Sequence, residues 1–256
     1  MRFFLELIAN FLGVLWNVLP NFLRRGFLIF FLILESRHQR VDKGLKNILF
    51  VRDKLDWVTN ERAMKFGKGV HPKHYLTKYH EFFIENINDG ERVLDIGCGY
   101  GAVAKSVAKA KPQSVITGVD LDKGRLSQAK RDNQLQNLDF YFGDATQSVP
   151  DGNWDVVILS NVLEHLNDRP VFLRNINKTT GAKRFLIRVP LFERDWQMAL
   201  RRDLSVDFRS DDDHKIEHTV AEFRDEIALA EMKITNMQTL WGEIWAVCVW
   251  NSDPLN

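Results

Sequence analysis

Three glycines on alternate positions, Gly97, Gly99 and Gly101, follow a short apolar run whose acid, Asp95, lies two residues before the first of them. Such a run, followed by glycines and then a helix-forming segment at residues 102–110, reads as strand, tight turn and helix. Glycines there let the backbone come close to a ligand, and the amides of the following helix face it, which is nucleotide-binding chemistry. Asp120 ends a second β-rich run, residues 114–120, about twenty residues further on, where a carboxylate can accept from a ribose diol. Glu164 and His165 follow a later apolar run, and an imidazole with an ordinary pKa near neutrality can take a proton at physiological pH. A polar stretch at residues 191–218 holds Asp213, His214 and His218. These three have the chemistry to bind sugar hydroxyls or deprotonate one, and equally suit a solvated loop.

The elements that must hold these groups follow a βα rhythm. Residues 138–144 form a third β-rich run ending in Gly143-Asp144-Ala145, and residues 154–161 a fourth, nearly all apolar as a strand covered on both faces should be. A helix is expected over 123–136 between the second and third. A fifth strand is expected at 184–189, a capping box at Thr219-Val220-Ala221-Glu222 starts a helix running to about Lys233, and the last 17 residues before Asn251 alternate as an antiparallel hairpin.

With these motifs in order, the sequence resembles the class I S-adenosylmethionine-dependent methyltransferases, most closely their small-molecule group, over roughly residues 81–250. Asp95-Ile96-Gly97-Cys98-Gly99-Tyr100-Gly101 matches the first family motif, Asp120 the ribose-binding acid, Gly143-Asp144-Ala145 the adenine-side turn and Asn161-Val162-Leu163-Glu164-His165-Leu166 the segment after the fourth strand. A NAD-binding Rossmann domain would want its third glycine one residue later. The resemblance implies an α/β, Rossmann-like, doubly wound seven-stranded sheet and S-adenosyl-L-methionine as cofactor. It implies that Gly97, Cys98 and Gly99 present backbone to the methionine part, with Asp95 helping to hold its ammonium. Asp120 would take the ribose hydroxyls, Leu121 would pack on adenine, Asp144 and the Ala145 amide would meet the adenine edge, and Asn161 would sit beside the methyl group. His165, His214 and His218 are the candidate bases. Related enzymes fold the segment before the first strand over the acceptor, which makes His74, Tyr75 and His80 candidate substrate contacts together with Asp213. A metal is the other reading of His71 with His74 and of the acids and histidines of 191–218; proline between the first two and the lack of an adjoining cysteine or acid cluster count against it, and no metal is expected.

Net charge is +1, but residues 1–80 hold 14 Lys/Arg against 6 Asp/Glu and the remainder 21 against 28, so the basic excess lies outside the expected catalytic domain. No nucleic-acid module accompanies it, which disfavours a tRNA or rRNA substrate. Two cysteines make no disulfide framework and fit a reducing compartment. Residues 1–34 are apolar and Phe-rich, with Glu6, Asn10, Gly13, Asn17, Asn21 and Arg24 forming a narrow polar stripe, and Pro20 should divide the helix. No cleavage site for a secretory signal follows, and the nine-residue run 26–34 is too short for a bilayer core of about 30 Å. An amphipathic helix lying on the anionic, cytoplasmic face of the membrane fits best, ahead of a transmembrane or re-entrant hairpin, or helices that cap the catalytic domain or make a dimer. The expected organisation is residues 1–34 membrane-associating, 35–80 a basic connector and His/Tyr-rich loop, and 81–256 the methyltransferase domain. The expected reaction is O-methylation of a sugar or lipid-linked glycan; a quinone or other lipid acceptor, or a non-catalytic membrane adaptor retaining the fold, are the alternatives.

Overall fold

The computed structural model describes residues 2–250, and the side chains of Ala9 and of residues 11–250. The expectations for Met1, for residues 251–256 and for the side chains of Glu6 and Asn10 lie outside the described part. The chain divides into two compact units, one up to His71 and one from Pro72.

The first unit is helical: α1 (Arg2–Val18), α2 (Asn21–Ser36) and α3 (Val41–Phe66). Pro20 stands immediately before α2, and the segments Phe11–Val18 and Asn21–Ser36 meet at 112°, the break that a residue without an amide N–H produces. At the break, the Arg24 guanidinium donates to the side-chain oxygens of Asn17 and Asn21. The polar stripe thus folds into a local clasp. The α2 helix buries none of its residues, and Phe27, Leu28, Ile29, Phe30, Phe31 and Ile33 are all exposed. Among the described residues no single helix is long and apolar enough to cross a membrane.

The second unit starts with α4 (Lys73–Leu76) and α5 (Tyr79–Glu85) and continues as β1 (Arg92–Ile96), α6 (Ala102–Ala110), β2 (Val115–Asp120), α7 (Lys123–Arg131), β3 (Leu138–Phe142) and β4 (Val156–Ser160). Then come α8 (Arg169–Thr180), β5 (Arg184–Pro190), α9 (Trp196–Asp203), α10 (Val220–Leu229), β6 (Met232–Leu240) and β7 (Glu243–Trp250). The sheet has seven strands in the order β3-β2-β1-β4-β5-β7-β6, with β7 antiparallel to both neighbours and the rest parallel. The expected doubly wound architecture is therefore present. Strand alternation supplies its two cores. Leu94, Val157 and Leu159 pack with Phe172, Leu173 and Phe223 of α8 and α10, whereas Val93, Val156 and Ile158 pack on the opposite face with Val103, Val107 and Leu126 of α6 and α7.

Three boundaries differ from expectation. Tyr79, Phe82 and Phe83 of α5 are buried in the second of these cores, so residues 72–80 belong with the sheet rather than with the connector. The α7 helix stops at Arg131 because the Asn133 amide donates to the Leu135 and Leu138 carbonyls and its oxygen accepts from Leu135 N–H, a turn that competes with the helix. The capping box at Thr219 and Glu222 starts α10, which ends at Leu229, and Glu231 with φ +62° turns the chain into β6.

The polar stretch 191–218 is held together by its arginines. Arg194 reaches the Phe208 carbonyl and pairs with Glu217, buried Arg201 donates to the Asp207 carbonyl, and Arg209 donates to the His214 carbonyl. His218 is completely buried, its backbone bridging to Leu191 and its Nε2 lying 2.9 Å from Glu226, which Arg169 also grips. That placement corrects its candidacy as a base: it braces α10. Burial pushes the Glu226 carboxyl up, but hydrogen bonds from His218 and Arg169 outweigh this and hold it down at about 2. A carboxylate with a depressed folded pKa adds stability above its unfolded value near 4.3 and loses it as pH falls toward 2. Urea unfolding of Glu226→Gln should show a loss of about 2 kcal/mol at pH 7 that is roughly halved by pH 3 and largely gone by pH 2; a constant difference across that range would show packing, not charge, at work.

Candidate active site

The cleft at the C-terminal ends of β1, β2 and β3, beside the point where strand order reverses between β1 and β4, is lined by Gly97, Asp120, Leu121, Asp144, Ala145 and Val162, among others. Gly97 has φ +70°, and a Cβ there would stand 2.6 Å from Val162 Cγ2; Gly99 has φ +55° and faces open space. Only a bare backbone combines that conformation with close approach of a ligand. The Asp120 carboxylate accepts from Gly99 N–H at 2.7 Å and Asp122 N–H at 2.8 Å, which fixes its orientation at the mouth of the cleft. Leu121 is an exposed apolar side chain on the wall, and Asp144 accepts from the backbone and hydroxyl of Thr146 through one oxygen, leaving the other to a ligand.

Asp95 lies behind the glycine turn, only 2% exposed, and burial pushes its carboxyl up to about 8, partly offset by a hydrogen bond from the Ala104 backbone. A cation brought next to it would restore the ionised form, which is the condition a ligand ammonium supplies. Burial also raises the Cys98 thiol, so this side chain stays neutral and the backbone is what it offers. The donor and acceptor set fits S-adenosyl-L-methionine: an aimed carboxylate for the ribose, a bare turn for the methionine part and an acid for its ammonium.

On the other side of the β4 terminus lies a polar cluster. Asn161 adopts φ +58°, uncommon for a residue other than glycine, and its side-chain oxygen is buried with no hydrogen-bond partner. Glu164 is completely buried, with its carboxyl raised to about 8 chiefly by burial. His165 Nδ1 lies 3.1 Å from an Asp213 oxygen, and the His165 ring stands edge-on to His214 at 4.7 Å. His214, itself buried, has Nδ1 3.1 Å from Glu217. The fold thus joins His165, Asp213 and His214, and separates His218 from them functionally.

Beside Glu164 runs a second network that gathers the expected His74 and His80 around Arg188, a hub that sequence reasoning did not single out. Arg188 is 5% exposed, forms a bidentate pair with Glu243 at 2.6 Å, donates to Ser160 and lies over the Tyr79 ring at 3.9 Å. His74 and Tyr79 share a hydrogen bond of 2.6 Å, and His80 packs on both rings. Burial, aided by His74 and Arg188, lowers His80 to about 4, and burial raises Tyr79 to about 12, so both are neutral at pH 7. Tyr75, by contrast, is 57% exposed and stands outside this group. The available signal was Arg188 itself, a charge between the apolar Phe185-Leu186-Ile187 and Val189 of the strand.

Residues 94–182 match the family described as "Methyltransferase domain". A probable (S)-tetrahydroprotoberberine N-methyltransferase 2 of Papaver bracteatum is 30% identical over 103 residues, 38% of this chain and 29% of that protein. Ribosomal protein L11 methyltransferase of Thermotoga neapolitana is 34% identical over 128 residues, 49% of this chain and 46% of that protein. The chain therefore spans less than half the length of these relatives. The O-methyltransferase NcsB1 of neocarzinostatin biosynthesis, solved with S-adenosyl-L-homocysteine and 1,4-dihydroxy-2-naphthoic acid, superposes with a TM-score of 0.55 at 20% identity, covering 71% of this chain and 55% of that one. Sheet order and the match over residues 94–182 agree on the class I methyltransferase fold, and the donor and acceptor set of the cleft fits S-adenosyl-L-methionine.

Proposed function

We propose that the chain methylates a hydroxyl on a sugar or lipid-linked glycan at the cytoplasmic face of a membrane. The observation that carries the hydroxyl is the group formed by Glu164, His165, Asp213 and His214 at the end of β4, next to the cofactor cleft. Bound S-adenosyl-L-methionine supplies an electrophilic methyl group, so that an O–C bond forms as the C–S bond breaks and the sulfur leaves as a neutral thioether. The chain's own residues align the acceptor in line and take its hydroxyl proton into the His165–Asp213 group. Neutral His80, whose Nε2 is buried without a hydrogen-bond partner, offers a hydrogen bond to a further hydroxyl.

His165→Gln is expected to slow methyl transfer by about 10²–10⁴-fold while leaving cofactor affinity unchanged. Tritiated cofactor and membrane glycolipid extracts provide the assay; unaltered turnover would remove His165 from the chemistry. An extract in which only quinones are labelled would replace the glycan with the lipid acceptor.

The membrane assignment rests on α2, whose phenylalanines and leucines are uncovered, and on the basic excess of residues 1–80. An interfacial helix buries such a face at the headgroup boundary, with each nearby positive charge adding about 1 kcal/mol on anionic lipid. Vesicles of mixed phosphatidylglycerol and phosphatidylcholine should sediment the full chain, and Phe27→Glu with Phe31→Glu should release it. Equal recovery of both proteins in the supernatant would remove the membrane from the proposal.

A further inference from the structure

Glu164 has no exposed surface, and neither of its carboxylate oxygens has a hydrogen-bond partner. A buried carboxylate in that condition is unfavourable by several kcal/mol unless something positive meets it. The nearby Arg188 guanidinium is already spent on Glu243 and Ser160. Two histidines stand where the missing partner would be: one ligand atom each from Glu164, His165 and His214 lie within 4.8 Å of one another.

Each ring stands beside a carboxylate. His214 Nδ1 shares a hydrogen bond of 3.1 Å with Glu217, and His165 Nδ1 lies 3.1 Å from an Asp213 oxygen, at ion-pair distance but without hydrogen-bond alignment. Glu217 is fixed in turn by Arg194 and by the Ser210 hydroxyl at 2.8 Å. The hydrogen bond to Glu217 sets the His214 tautomer and makes its Nε2 the basic, coordinating nitrogen, the arrangement that surrounds metal-bound histidines. The buried, unpaired Glu164 supplies the acidic ligand.

We infer that Glu164, His165 and His214 bind one divalent transition-metal ion of the Mn²⁺, Co²⁺ or Zn²⁺ class. Two imidazoles select these ions over Mg²⁺ and Ca²⁺, whose preference is for oxygen. Three protein ligands leave coordination positions open. Resting on the methyl-transfer reading above, the inference assigns one of these positions to the acceptor hydroxyl; its proton, more easily lost when its oxygen is bound to a cation, then passes to the exposed Asp213 carboxylate, and His165 acts as ligand rather than as base. Acceptors able to offer two adjacent oxygens, such as a sugar diol, then gain a second hold on the ion.

The test uses the full chain, stripped with chelator and titrated with MnCl₂ while free Mn²⁺ is followed by electron paramagnetic resonance, and with CoCl₂ by visible absorption. One ion per chain is expected. His165→Gln and Glu164→Gln should each weaken binding by about 100-fold, and Glu217→Gln by about 10–100-fold through the released ring. Calorimetric titration of S-adenosyl-L-methionine into the same samples reports the fold independently, and His165, a third exposed, is the substitution that disturbs packing least. A chain that binds the cofactor but takes up no stoichiometric metal, or whose metal binding survives both ligand substitutions, overturns the inference and leaves the methyl-transfer reading standing. Metal uptake lost in the variants, in a chain that binds no cofactor, supports the metal site and removes the methyl-transfer reading instead.

Discussion

Asp120→Ala is expected to weaken S-adenosyl-L-methionine binding by at least about 100-fold. Hydrogen bonds to a charged acceptor contribute roughly 1.5–3 kcal/mol each, and a ribose diol offers two, so a loss of about 3–4 kcal/mol corresponds to two to three decades in Kd. The same carboxylate accepts from Gly99 N–H and Asp122 N–H. Its removal therefore also unties the glycine turn from the end of β2, and part of the loss should appear as a lower melting temperature. Asp120→Asn separates the two effects, because the amide oxygen can still accept a backbone bond while the charge is gone; about 10-fold weaker binding with near-native stability is expected. Calorimetry on the full chain reads both variants. Affinity for the alanine variant within threefold of the native chain would show that the ribose lies elsewhere and that the cleft has been misassigned.

The cofactor side of this site was legible in the sequence because its signals are local. Gly97, Gly99 and Asp95 sit on one turn, and Asp120 follows after a single βα unit, so spacing along the chain fixes spacing in the fold. The same holds for Asp144 and Ala145 at the end of β3 and for the capping box of α10. The acceptor side is not local. Arg188 meets Glu243 through the antiparallel register of β5 on β7, which sets Arg188 opposite Trp245 and Pro190 opposite Glu243. Tyr79 arrives from a helix more than a hundred residues earlier. Periodicity identifies such strands but carries no register.

His218 illustrates the opposite error. An acid-and-histidine-rich segment reads as solvated, yet its arginines satisfy backbone carbonyls internally and its last histidine is drawn under α10 by Glu226, eight residues on. His165 and His214, by contrast, lie nearly fifty residues apart in sequence and become neighbours. The helical N-terminal unit was readable in outline, including the break at Pro20. The exposed faces of α2 follow from the absence of any polar alternation in residues 26–34, since a helix apolar on all sides cannot bury itself against one neighbour.

Arg188→Ala is expected to destabilise the domain by about 3–5 kcal/mol, lowering the melting temperature by roughly 10 °C. The arginine is nine-tenths buried or more, and its loss leaves Glu243 near Glu164 without its bidentate partner. Removing one member of a buried pair is far costlier than removing both, since the surviving charge keeps its desolvation cost without its partner. Arg188→Met combined with Glu243→Gln tests this directly: the methionine fills the space over Tyr79, and the glutamine oxygen can still accept from Trp245. Most of the lost stability should return, to within about 1.5 kcal/mol of the native chain, and a double-mutant cycle from urea unfolding should give a coupling of about 2–3 kcal/mol. A loss below about 1 kcal/mol for Arg188→Ala would mean that water screens the pair, and the strand-centre charge would then serve the acceptor alone.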